Sequence, residues 1–98
     1  MKNINTSQWS KGRPALELND TTDIGLAIAT LGSGSYPTDG DRNSGIYMGH
    51  DGNGAIKIVD QWPDNGPNYD HPREHTLPSH GQPSMNATAY FVIVVKNP

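Results

Sequence analysis

A chain of 98 residues with no cysteine, 33% hydrophobic residues and a formal net charge of −3 has room for a single domain, 1–98, and one modest core. Such a core buries about 60–65% of the surface that the unfolded chain exposes. The acidic balance excludes the basic stripe of a nucleic-acid binder and the polybasic patch that docks on anionic membranes.

No apolar run approaches the roughly 20 residues of a membrane helix. The opening MKNINTSQW has no apolar signal-peptide segment, so a cytoplasmic protein is expected. Without disulfides, stability must come from packing. Eleven glycines and eight prolines announce many turns.

In chain order, Asn5 to Lys11 reads as one helical turn capped by Thr6 or Ser7 and stopped by Gly12 and Pro14. Ile24 to Leu31 (IGLAIATL) alternates Ile24, Leu26 and Ile28 against small residues and reads as a strand. Ser44 to Gly49 is a second strand, and Ala55 to Trp62 (AIKIVDQW) is its return. Asn53-Gly54 between them is a hairpin signal, because both residues tolerate positive φ. Pro63 to Pro72 and Ser79 to Asn86 read as loops, with a short strand, Arg73 to Leu77, between them. Thr88 to Val95 (TAYFVIVV) is the most β-prone run and belongs in the middle of the sheet. The expected fold is mainly β: a small curved antiparallel sheet or partly open barrel of about five strands.

Five short motifs in a fixed order carry a resemblance. They are Thr6, Trp9 and Gly12 in TSQWSKG; Gly25 to Thr30 (GLAIAT); Gly34, Tyr36 and Pro37; Asn43 to Tyr47 (NSGIY); and Asp60, Gln61 and Trp62. Together they resemble the barrel half of the small bacterial papain-like amidases, the NlpC/CHAP-like group with the DQW strand. The resemblance spans about Thr6 to Val95. It implies a Cys nucleophile on a helix before Thr6, a catalytic His at the first residue of the NSGIY strand, and a polar third member at Asp60 or Gln61. Here no cysteine exists, only MKNIN precedes Thr6, and the His position holds Asn43. A Cys–His mechanism needs a thiolate and a proton-accepting imidazole, and an amide has no useful pKa for that work. Asn43, Asp60 and Gln61 are therefore degenerate catalytic positions, and no catalytic residue is expected.

Other chemistry is weaker. His71, His75 and His80, with Asp70 or Glu74, have the side chains of a zinc site. Pro72 and Pro78 interrupt their spacing, so a polar surface loop is the reading, with no metal or other cofactor. Asp39 to Gly45 begins like a calcium loop, but its glycine stands one place late and its twelfth position is His50. No G-x-S-x-G elbow supports a serine triad, and the Gly-Ser run at 32–35 lacks the Lys and helix of a phosphate loop.

Large aromatics dominate small cores, so Trp9 and Trp62 are first read as core. The functional alternative places Trp62 with Tyr36, Tyr47 and Tyr69 on a binding face lined by Asp39, Asp41, Asp60 and Asp64. Such a face suits a protein partner with a basic surface, such as a ribonucleoprotein complex. The expected function is a non-catalytic binding protein on a degenerate amidase-like scaffold, in the manner of a phage or mobile-element inhibitor of a bacterial defence complex (an anti-CRISPR). The alternatives are one part of a split peptidoglycan amidase and a small-molecule sequestering protein. An open sheet edge also permits dimerisation.

Overall fold

The computed structural model describes residues 8–37, 42–60 and 73–95. Six strands are formed: β1 Trp9–Pro14, β2 Ala27–Thr30, β3 Ser44–His50, β4 Ile56–Asp60, β5 Arg73–Leu77 and β6 Tyr90–Val95. They build one antiparallel sheet in the order β1-β6-β2-β3-β4-β5. The fold is mainly β, and β1 and β5 are the edges of an open sheet. The run at Tyr90–Val95 is an interior strand, paired with β1 on one side and β2 on the other.

Two sequence expectations change. Trp9 to Lys11 is strand, not helix, because its backbone pairs with Val95 to Ile93 of β6. A ladder partner decides the conformation there, against a local turn signal. Ile24 does not join the strand: the chain turns through 19–25, Gly25 N–H donates to the Tyr47 carbonyl, and Ile24 is left 41% exposed. The β3–β4 hairpin forms around Asn53-Gly54, with its positive φ at Gly52 and Gly54 and none at Asn53. The Asp51 carboxylate accepts from the Asn53 and Ala55 N–H groups and closes the turn.

The core lies on one face. Strand alternation and register put Ile28, Tyr47, Ile56, Ile58, Leu77 and Tyr90 on the same side, all fully buried. Covering segments close over them with Ala15, Leu18 and Ala87. These come from short 3-10 turns at Ala15–Glu17 and Ala87–Ala89. Pro14, at φ −59, ends β1 and starts the first turn. On the other face Lys11 lies over the Phe91 ring, 4.7 Å from its centroid.

β3 carries an irregularity that matters below. Tyr47 lies opposite Ile58 and His50 opposite Ile56, so three steps on β3 match two on β4. The bulge lets Tyr47 and His50 reach the same side of the sheet, where strict alternation would separate them.

Gly45 permits the close approach of β3 and β4. A β-carbon there would stand 2.5 Å from the Val59 carbonyl oxygen and 2.8 Å from the Ile58 side chain. The obstacle is backbone and cannot swing aside. Gly45→Val is expected to lower stability by about 2–3 kcal/mol, whereas Val at exposed Ala27 should stay within about 0.5 kcal/mol. Urea unfolding midpoints of the two variants check this.

Candidate functional site

At one end of the core face, polar side chains from four strands converge. Asp60 is the last residue of β4, and its residue is 4% exposed. Asn43, just before β3, is locked at its backbone: its N–H donates to Thr30 Oγ1 at 3.0 Å, and its carbonyl accepts from the Thr30 N–H at 3.0 Å. This fixes the Asn43 side chain over β4. Its Nδ2 donates one hydrogen to Asp60 Oδ2 at 2.8 Å and the other to the Tyr90 hydroxyl oxygen at 2.8 Å.

Tyr90 passes the chain onward, donating to the Ser84 carbonyl at 2.6 Å. Burial pushes the Tyr90 hydroxyl well above its ordinary pKa, which keeps its proton in place for that bond. From the other side, His75 of β5 donates from Nε2 to the same Asp60 Oδ2 at 2.8 Å. Asp60 Oδ1 is buried and accepts nothing from the described residues.

Each contact follows from the sheet. Asp60 lies opposite Arg73, and Ile58 lies opposite His75. Asp60 and His75 therefore share a face, with one residue pair, Val59 and Glu74, between their positions. His75 is only partly covered and, with Arg73, Glu74 and Met85, lines a cavity of about 290 Å³. The arrangement runs from a buried carboxylate, through an imidazole, to an open space.

The chemistry available is limited by Asn43. An amide can bridge Asp60 and Tyr90, as an imidazole N–H would reach one of them, but it cannot take up a proton. Among the described residues no three His, Cys, Asp or Glu side chains are grouped to hold a metal ion.

Several sequence-predicted residues fall elsewhere. Tyr47 is fully buried in the core and Asp60 nearly so, so neither belongs to an exposed binding face; both point inward because β3 and β4 turn these positions toward the core. Tyr36 is half-buried, with its ring edge-on to Trp9 at 4.9 Å between centroids. Trp9 itself is half-buried on edge strand β1 rather than enclosed in the core. Trp62, Tyr69, Asp39, Asp41, Asp64, Gln61 and His71 lie outside the described residues, and His80 is exposed. Tyr90 is a site residue that sequence reasoning did not single out, and His75 entered it only as a candidate zinc ligand. The period-2 pattern of REHTL puts His75 on the same face as Leu77 and is the signal that points to it.

Asn43→Ala would strip one donor from buried Asp60 and the donor to the Tyr90 oxygen. A loss of about 1–3 kcal/mol is expected in urea unfolding at neutral pH. Asn43→Asp should cost more at pH 7, because a second carboxylate would face Asp60.

No protein-family profile matches the chain, and no curated protein matches it. Among solved structures, type 6 secretion amidase effector 2 (Tae2) superposes with a TM-score of 0.81 at 24% sequence identity. The match covers 96% of this chain and 74% of that one. The chain therefore shares its fold with that amidase effector.

Proposed function

We propose that this protein is a non-catalytic binding protein built on an amidase-type scaffold. The observation that carries the reading is Asn43. It stands where the resemblance calls for the proton-accepting His, and both hydrogens of its amide nitrogen go to Asp60 and Tyr90. An amide in that place preserves the hydrogen-bonded architecture and removes the base. The chain has no thiol to act as nucleophile. A net charge of −3 favours a partner with a basic surface, met in the bacterial cytoplasm, where acidic inhibitors of nucleic-acid-handling defence complexes act.

A second reading is favoured by the His75–Asp60 contact of 2.8 Å. An imidazole held by a buried carboxylate is half of a nucleophile-activating set. In this reading the chain is one part of a peptidoglycan amidase, and another polypeptide supplies the cysteine helix. That helix needs apolar surface on which to dock. Ile46 and Val95, on the sheet face away from the core, are 38% and 43% exposed.

A peptidoglycan zymogram separates the two. The protein alone and the protein mixed with host extract are both expected to leave the gel uncleared. In parallel, affinity capture from the host should retain one basic complex, and that complex should be released at high salt. Clearing in the mixed lane, lost in His75→Ala, would replace the binding reading with the split-enzyme one.

A further inference from the structure

Among the described residues, a second charged cluster lies where residues 16–23 cross the end of β3. His50 is its centre. Its Nε2 is 2.8 Å from the Leu16 carbonyl oxygen, and its Nδ1 is 2.6 Å from Asp20 Oδ1. Both partners can only accept, so the ring that satisfies both is the imidazolium, with the Tyr47 hydroxyl, 2.9 Å from Nδ1, giving its hydrogen to Asp20 instead. Asp20 Oδ1 gathers two further donors, the His50 backbone N–H at 2.9 Å and the Tyr47 hydroxyl at 2.7 Å. The same tyrosine oxygen lies 3.3 Å from the Leu18 carbonyl. Leu16 and Asp20 are thus fastened to two side chains of β3, with the Leu18 carbonyl beside the same tyrosine oxygen. The bulge between Tyr47 and His50 is what lets both reach the strap.

The strap covers something. Leu18 is buried and belongs, with Ala15, to the cluster that contains Ile28 and Tyr47. Loss of the fastening would uncover apolar sheet surface.

We propose that residues 16–23 form a proton-operated latch, closed by the doubly protonated His50 ring and loosened when the ring loses a proton. A neutral imidazole has one N–H and can keep only one of its two acceptors. The groups facing the ring are Asp20 on the strap, Tyr47 on β3 and, through space, Asp51 on the hairpin turn. The Asp20 hydrogen bond raises His50 above its ordinary 6.5. Bonds from His50 and Tyr47 hold Asp20 down at about 2 against an ordinary 3.8. Burial and the Asp20 carboxylate raise Tyr47, which keeps its hydroxyl a donor throughout.

The direction follows by linkage. The His50 contribution is complete below 6.5 and is lost as pH rises through the folded-state value. The Asp20 contribution is complete above 3.8 and is lost only as pH falls toward 2. The latch is therefore closed in mildly acidic solution and opens on the alkaline side. It shares no residue with the Asn43–Asp60 site, so it stands or falls independently of the function proposed above.

Hydrogen exchange followed by mass spectrometry, from about pH 5.5 to about pH 9, tests the latch after correction for intrinsic rates. Protection of 16–23 should fall about tenfold per pH unit above the His50 value, while β2, β3 and β6 stay protected. Asp20→Asn should move the onset to lower pH. Nitrogen-15 spectra of the unmodified protein at about pH 6 should show both His50 ring nitrogens protonated. A neutral single tautomer at that pH would overturn the proposal without recourse to any variant. So would protection of 16–23 that is flat with pH, that falls together with the strands, or that keeps its onset in Asp20→Asn.

Discussion

The buried carboxylate of Asp60 sets the terms for one end of this molecule. A carboxylate removed from water must be met by donors, or its desolvation counts against folding. Two arrive at Oδ2, one from Asn43 beside β3 and one from His75 on β5. Through Asn43 the same point is tied to Tyr90 on β6 and on to Ser84 in the segment that crosses back from β5. Backbone ladders hold neighbouring strands together in pairs. Asp60 links side chains from strands that are not neighbours, and it does so at the end of the sheet where the core's apolar side chains give out. Removing the carboxylate would leave Asn43 and His75 without their common acceptor and would loosen the Asn43 amide that also reaches Tyr90, which makes the site one unit rather than a set of separable contacts.

The two histidines of β3 and β5 show how placement decides chemistry. His50 has an acceptor within hydrogen-bond distance of each ring nitrogen, and both acceptors belong to the segment that covers the core. His75 is pinned through Nε2 to a buried carboxylate while its ring borders a cavity. The first arrangement spends the imidazole on closing the fold. The second leaves an oriented ring at a surface opening. The enzyme reading draws its support from the second histidine alone, and nothing about the first lends it weight.

Much of the fold was legible in the chain. The alternation in AIKIVDQW, the Asn53-Gly54 turn and the apolar run ending at Val95 are local signals, and local signals locate strands. Arg73 to Leu77 was bounded by its prolines and forms over those residues. What the chain did not disclose depends on partners distant in sequence. β1 exists because β6 lies beside it, and a capping signal near Thr6 says nothing of that. The contact of His75 with Asp60 depends on the β4–β5 register, which no hairpin turn of readable type sets. The Tyr47–His50 pair depends on a bulge, and alternation assigns its members to opposite faces. Tyr47 and Asp60 were placed on a binding face because aromatic and acidic residues suit one, but inward pleating of β3 and β4 outranks that preference.

Asn43 and the histidine that the amidase resemblance implies at its place can be compared as partners of Asp60. A histidine at this position would offer Asp60 an N–H and keep a second nitrogen for proton transfer. Asparagine offers an N–H of similar reach and directs its second hydrogen to Tyr90. The hydrogen-bond requirement of the buried carboxylate is met either way, so folding places little constraint on the choice. Catalysis constrains it completely, because only one of the two side chains changes its protonation near neutral pH. An amide therefore satisfies Asp60 as a base would, while a histidine on β5 approaches the same oxygen from the other side.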